Sequence, residues 1–224
     1  MNISFLCTTA LFRGTSREEA EAMLGCMGAF ARQYRRQEMI YRAGEEVRCL
    51  GVVLSGGANI EADDVWGNRS ILSHVAAGQI FAETYACIPG QPLLVSVTAT
   101  EETEVLFLNT AKLLQTCTSA CTHHSRLIQN LLQISARKNL ALSQRMLHTA
   151  PKTIRGRLLS YFSQQAMEAG EYQFSIPFNR QQLADYLGVD RSAMCNELSK
   201  MQQEGLIRYQ KNVFELKKPL EDAE

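Results

Sequence analysis

Apolar residues recur with two different periods along the chain, and the changes of period divide it. Ala20, Met23, Leu24 and Met27 stand at helical spacing behind Thr15, Ser16 and Glu18. Thr15 with Glu18 three residues later fits a capping box, so residues 13–34 are expected to hold a short amphipathic helix. From Met39 to Leu108 short runs of Val, Ile and Leu are punctuated by Gly44-Glu45, Ser55-Gly56-Gly57, Gly67-Asn68, Gly78 and Pro89-Gly90. Strand-like runs separated by turn residues at intervals of about ten predict a compact antiparallel barrel or roll. Residues 111–148 then contain neither Gly nor Pro, with apolar Leu127, Leu131, Ile134, Ala141 and Met146. A stretch without a breaker of this length exceeds an ordinary helix and needs covering along its length. Leu127, Leu131 and Ile134 follow the spacing of a helix–helix seam, which suits a parallel dimer helix or a long helix lying on its own domain.

Thr149-Ala150-Pro151 breaks and restarts the pattern. Thr149 is expected to cap, and Pro151 to begin, a helix reaching about Ala169, with Ile154, Leu158, Leu159 and Phe162 on its apolar face. Gly170 ends it, and Tyr172–Phe178 alternates as a strand. Over residues 179–207 two helical periods flank a glycine turn. Asn179 with Gln182 forms a capping box, Leu183, Ala184 and Leu187 point inward, Gly188 turns and Val189 plugs the turn. Asp190 caps a second helix with Met194, Leu198 and Met201 inward, and residues 205–216 read as a hairpin wing. This is the grammar of a helix-turn-helix. Its outward face holds Arg191, Ser192, Cys195, Asn196 and Ser199, donors and acceptors of the kind that meet base edges in a major groove.

Composition narrows the classes. The 224 residues are 46% hydrophobic and 21% charged, which suits a globular chain and excludes a mainly disordered one. No run of about 18 apolar residues exists for a membrane span, and the N-terminus lacks the pattern of a secretory leader, so a cytoplasmic location is expected. Seven cysteines at irregular spacings fit reduced thiols better than a disulfide framework. The net charge of zero conceals an asymmetry: residues 1–115 carry 9 basic and 13 acidic side chains, residues 116–224 carry 14 and 10. The basic half is the one to face a polyanion.

The run NRQQLADYLGVDRSAMCNEL (179–198) and, in the roll, GQIFAETYACIPGQPLLVSVTATEETEVLFL (78–108) resemble the Crp/Fnr family of bacterial transcription regulators, and roll, long helix and winged helix follow in that family's order. The resemblance implies an α+β chain: a cupin-like antiparallel β-roll that senses an effector over residues 1–115, a dimerisation helix over 116–148, and a winged helix-turn-helix over 149–224. It implies a homodimer that binds double-stranded DNA at a palindrome and works with RNA polymerase. DNA contacts would come from Arg180, Gln181, Arg191, Ser192, Cys195, Asn196, Lys200 and Arg208. The effector pocket would draw on Ile80, Phe81, Glu83, Leu94, Val95 and Ser96, with Leu127 and Leu131 from the helix.

The departures from the family decide what kind of member is expected. Glu83 matches the glutamate that bonds a cyclic nucleotide's ribose. The phosphate-binding arginine falls at Val95, beside Ser96 and after apolar Leu93 and Leu94. A buried phosphate without a cation loses its charge-assisted hydrogen bonds, so an effector other than cAMP is expected, an apolar or aromatic molecule among the candidates. Cys7 and Cys26 are too few for the N-terminal cluster of the iron–sulfur relatives. Cys117, Cys121, His123 and His124 form the best-looking metal set, but the two histidines diverge by about 100 degrees on a helix, and no metal or other cofactor is assigned. Where many relatives read DRSALSRELS, this chain has Cys195 and Asn196, so the half-site should change, since asparagine suits adenine and arginine guanine. Two other functions remain. A thiol switch would use Cys195 with Cys7, Cys26, Cys49 or Cys87. A cupin-like metal enzyme would need several histidines in the roll, where residues 1–115 have only His74, so no catalytic residue is assigned.

Overall fold

Asn2 caps the first helix, α1 (Ile3–Thr8), and Ser16 caps the second, α2 (Arg17–Met27). In this computed structural model residues 2–64, 66, 69–114 and 122–217 are described, for 122 and 123 the backbone alone. The Gly67-Asn68 turn, Cys117, Cys121, the side chain of His123 and the acidic end at Glu221, Asp222 and Glu224 lie outside the described residues. The capping box of α2 is formed by Ser16 and Glu19, one residue beyond the expected pair. Glu18 is taken instead by the Ser16 hydroxyl, at 2.9 Å. The expected helical region also ends early, because Gly28 in the left-handed conformation stops α2 and Phe30–Tyr34 becomes a strand.

The chain divides into two units, Met1–Ala136 and Arg137–Glu224. In the first, β1 (Phe30–Tyr34), β2 (Met39–Tyr41), β3 (Cys49–Ser55), β4 (Gly57–Asp63), β5 (Arg69–Ala76), β6 (Ile80–Phe81), helix α3 (Glu83–Ala86), β7 (Ser96–Ala99), β8 (Thr103–Asn109) and α4 (Thr110–Leu114) follow the two helices. The strands make two antiparallel sheets, in the orders β1-β8-β3-β6 and β2-β7-β4-β5. The inner strands β3 and β8 of the first sheet are covered on both faces. Leu50, Val52, Leu54, Leu106 and Leu108 join Leu6, Leu11, Met23, Met27 and Leu113 in a helix-side core. The alternate residues Val53, Val105 and Phe107 meet Ile40, Ala58, Val75, Val97 and Ala99 of the second sheet in another. Side chains of a strand alternate in direction, so β3 and β8 read as nearly continuous apolar runs.

Gly51 pairs with Phe81 across β3 and β6. A Cβ at Gly51 would lie 2.2 Å from the far end of the Phe81 ring, so only glycine lets this ring come so close to β3. Phe81 is fully buried and meets Tyr41 edge-on at 6.0 Å, and Tyr41 in turn meets Phe107 at 5.6 Å.

Helix α5 (Thr122–Thr149) contributes its first half to this unit. Leu127 and Leu131 are buried in the helix-side core with Ile134 packed against it. Asn130 donates to the carbonyls of Leu11 and Arg13 at 2.8 and 3.0 Å, and Arg126 donates to that of Gly14. The row that suggested a dimer seam is therefore spent on the helix's own unit. Leu132, Ala136, Leu140, Ser143 and Leu147, at spacings of four, four, three and four, are exposed instead. At about 100° per residue they occupy the opposite side of the helix.

The second unit holds the rest of α5, α6 (Ile154–Ala169), β9 (Gln173–Ser175), α7 (Arg180–Leu187), α8 (Arg191–Gln203), β10 (Ile207–Gln210) and β11 (Val213–Leu216), with sheet order β10-β11-β9. Its core is aromatic at one end, where Phe162 and Phe214 approach to 4.5 Å, and methionine-rich at the other, with Met194 and Met201 fully buried. Thr153, not Thr149, caps α6, accepting from the Gly156 N–H at 3.0 Å. The Thr149 hydroxyl donates back to the Arg145 carbonyl at 2.8 Å and so closes α5.

Replacing Gly51 by alanine forces Phe81 off the sheet, and overpacking of this kind is expected to cost about 1–3 kcal/mol. The measurement is a lowered denaturant midpoint; an unchanged midpoint would show that the ring moves freely.

Candidate nucleic-acid interface

The reading helix is built from the turn outward. Asn179 and Gln182 form the reciprocal capping box of α7, each with a 2.9 Å bond. Gly188 stands at φ 63, the left-handed C-cap that stops α7 after eight residues. Val189 packs against the core, and the Asp190 carboxylate accepts from the Ala193 N–H at 2.8 Å to start α8. Leu183, Ala184, Leu187, Met194, Leu198 and Met201 are all fully buried. Burying those residues leaves Arg191, Ser192, Asn196, Ser199 and Lys200 exposed on α8, with Cys195 half-buried among them. Gln181 is exposed on α7 and its amide donates to Asp185 at 2.9 Å. Arg208 is exposed on β10, opposite Glu215 of β11. Arg180 is half-buried and turned onto the wing, where its Nη2 donates to the Lys211 carbonyl.

Three arginines that sequence reading did not single out hold this arrangement. Arg155 of α6 bonds Glu197 through Nε at 2.6 Å and Glu204 through both terminal nitrogens at 2.7 and 2.8 Å. Those bonds raise the Arg155 guanidinium above its usual range and hold the Glu204 carboxyl below its own. The carboxylates of Glu197 in α8 and Glu204 at its C-cap are thus both paired with one cation, and its fork fixes the helix against α6. Arg145 donates to the Asp185 and Tyr186 carbonyls at 2.9 Å each, and Arg157 to those of Leu187 and Gly188 at 2.9 and 3.0 Å. His148, almost fully buried, lies between the Tyr186 hydroxyl at 2.9 Å and Gln164 Oε1 at 2.6 Å. Gln164 Oε1 only accepts, so Nε2 donates to it. These partners lie 16 to 49 residues away, so no local spacing betrays them.

The residues expected around an effector are not gathered into one place. Ile80, Leu127 and Leu131 belong to the helix-side core, whereas Phe81 fills the space between the sheets. Glu83 and Ser96 are buried; the Ser96 hydroxyl accepts from the Ala43 N–H at 3.1 Å. Val95 is half-buried and Leu94 is 72% exposed. His124 is buried, and among the described residues neither ring nitrogen has a hydrogen-bond partner. Among the described residues no three His, Cys, Asp or Glu side chains come together as a metal site. Burial pushes the Cys49 and Cys87 thiols up, away from the thiolate form.

With this geometry in view, known proteins were compared. The model for the cyclic nucleotide-binding domain matches residues 31–120, and that for the Crp-like helix-turn-helix domain matches residues 156–219. Comparison with curated proteins finds no match. Among solved structures, CprK complexed with OCPA aligns over 88% of this chain and 89% of its own, with 14% identity and a TM-score of 0.62. The c-di-GMP-responsive global regulator CLP of Xanthomonas campestris aligns over 91% and 100%, with 19% identity and a TM-score of 0.56. The catabolite activator protein of Thermus thermophilus aligns over 93% and 94%, with 21% identity and a TM-score of 0.51. These likenesses concern the fold. No helix among the described residues is long and apolar enough to cross a membrane. A cyclic-nucleotide-binding-like roll and a Crp-like winged helix-turn-helix in one chain, each matched by its own family model, place this protein in the Crp/Fnr family of DNA-binding transcription regulators.

Proposed function

We propose that the chain acts as a homodimer that reads a palindromic operator and whose DNA affinity answers to an effector in the roll other than cAMP. The observation that carries the DNA part is the first two turns of α8, where every inward position is apolar or tied to Arg155 and every outward one is a free polar group. A helix with that division enters a major groove N-terminus first. Arg191, Ser192, Cys195 and Asn196 then face base edges, while Gln181, Lys200 and Arg208 lie on the backbone side. Arg180 belongs to the same surface. A two-fold symmetric protein reads two inverted half-sites about one helical turn apart. Work with RNA polymerase belongs to the same reading.

The dimer is assigned to the exposed row Leu132, Ala136, Leu140, Ser143 and Leu147, whose leucines are 67%, 59% and 65% exposed in the single chain. Leaving such a strip in water is unfavourable, and a second copy of the same helix covers it with seam spacing. For the effector, the absence of a cation at Leu93–Ser96 and the Phe81 and Tyr41 rings between the sheets favour an apolar or aromatic molecule over a cyclic phosphate. CprK, a solved structure of the same fold, was complexed with OCPA. The thiol-switch alternative has less support, because burial pushes the Cys49 and Cys87 thiols up, away from the reactive thiolate.

Selection of bound duplexes from a random pool tests the operator. Asn196→Ala is expected to cost about 1–3 kcal/mol on the selected site and to relax preference at one base pair per half-site. Arg208→Ala is expected to weaken all sequences alike and to reduce the slope of log affinity against log salt by about 0.9. The opposite pattern would reverse the assignment of helix and wing.

Sedimentation at micromolar concentration is expected to show a dimer for the native chain and a monomer for Leu140→Glu, since a charge would be buried unpaired at the seam. A native monomer would remove the proposed symmetry. Calorimetry with cAMP is expected to show no tight binding, and a micromolar Kd would return the roll to cyclic-nucleotide chemistry.

A further inference from the structure

The wing is a hairpin of two four-residue strands, β10 and β11, joined at Lys211 and Asn212, with Lys211 at φ 51. A hairpin this short is marginally stable alone, so whatever grips its tip decides where the tip side chains point. Strand β9 pairs with β11 as far as Val213, and beyond that two contacts from outside hold the tip itself. The Ile176 N–H donates to the Asn212 carbonyl at 2.9 Å, and Arg180 Nη2 donates to the Lys211 carbonyl at 2.8 Å. The Arg180 guanidinium carbon also lies 5.1 Å from the Tyr209 ring centre and 5.0 Å from that of Phe214, two rings stacked at 5.6 Å across the hairpin ladder. Its remaining terminal nitrogen, Nη1, is covered from solvent and has no acceptor among the described residues. Of the two terminal nitrogens, one is bonded to the wing and the other is out of reach of an external phosphate.

We infer that Arg180 is a positioning residue, a latch that joins the wing tip to the first turn of α7 and sets where Lys211 stands relative to Arg191. Arg180, Arg191 and Lys211 line one cleft together with Asn179, Gln181 and Asn212. Arg191 and Lys211 are exposed there, so the latch fixes the spacing of two free cations along a DNA backbone while itself binding protein. The inference rests on the proposed DNA-binding role of this unit. The chemistry of the latch is specific to arginine. A lysine ammonium has no planar face to lay on Tyr209 and Phe214 and no fork to reach the Lys211 carbonyl from that position.

The test uses the full chain with Arg180→Ala, Arg180→Lys and Tyr209→Leu, the last weakening the latch without touching a charge. Without DNA, amide exchange of residues 211–214 is expected to accelerate about tenfold or more in all three variants, as a held hairpin becomes a fraying one. In Arg191→Ala it should stay native. With a selected duplex, each latch variant is expected to lose about 0.9 from the salt slope, the share of one phosphate. Adding Lys211→Ala to Arg180→Ala should lower it no further. Native wing exchange in Arg180→Lys and Tyr209→Leu, with additive effects of Arg180→Ala and Lys211→Ala, would overturn the latch and make Arg180 a direct phosphate contact. If Arg180→Ala does not fold, the lysine and Tyr209 variants decide the question by the same readings. A native chain that binds no duplex would overturn the DNA-binding role, and wing exchange would still decide whether the latch exists.

Discussion

A helix that stops after eight residues inside a folded unit leaves its last carbonyls without partners, and α7 closes them with cations from two other helices. Arg145 takes the Asp185 and Tyr186 carbonyls and Arg157 takes those of Leu187 and Gly188. Positive groups at a helix C-terminus also meet the negative end of its dipole, so the contacts are favourable twice over. The angle at which α8 leaves Gly188 depends on this closure. So does everything α8 presents, because its inward residues Met194, Leu198 and Met201 are seated only if the turn is held.

The same economy of arginine explains the charge of the second unit. Counted along the sequence, the basic half suggests a broad cationic surface. Arg145, Arg155 and Arg157 are bound to protein acceptors, and Arg180 holds the Lys211 carbonyl. The cations left exposed around the reading surface are Arg191, Lys200, Arg208 and Lys211. A guanidinium offers several donors in a fixed plane, which suits it to closing backbone carbonyls and carboxylates; the flexible lysines remain at the surface.

In the first unit the corresponding constraint is a pair of inner strands, β3 and β8, with almost no solvent face. Helices α1, α2, α4 and the first half of α5 cover one side and the second sheet covers the other. Phe81 packs closely over β3, which only the missing side chain of Gly51 permits. The rings of Tyr41, Phe81 and Phe107 then fill the space between the two sheets.

What the sequence determined by itself is what short-range physics decides. The Asn179–Gln182 capping box, the left-handed Gly188, the Asp190 cap and the inward apolar rows of α7 and α8 are set by neighbours within four residues, and each is found where spacing put it. The succession of short strands was legible for the same reason. Tertiary structure decided the rest. Helix α5 has apolar residues on opposite sides, and periodicity cannot say which side the roll covers; Leu127 and Leu131 went inward and left Leu132, Leu140 and Leu147 outside. Thr149 and Thr153 are equal as caps by type, and the backbone path after Pro151 chose Thr153. Ile80 and Phe81 are adjacent in sequence yet enter different cores, because consecutive strand residues face opposite sides of a sheet that is buried on both. The roles of Arg145, Arg155, Arg157 and Arg180 depend on acceptors some 30 to 49 residues away, a distance over which only folding brings a long side chain to its partner.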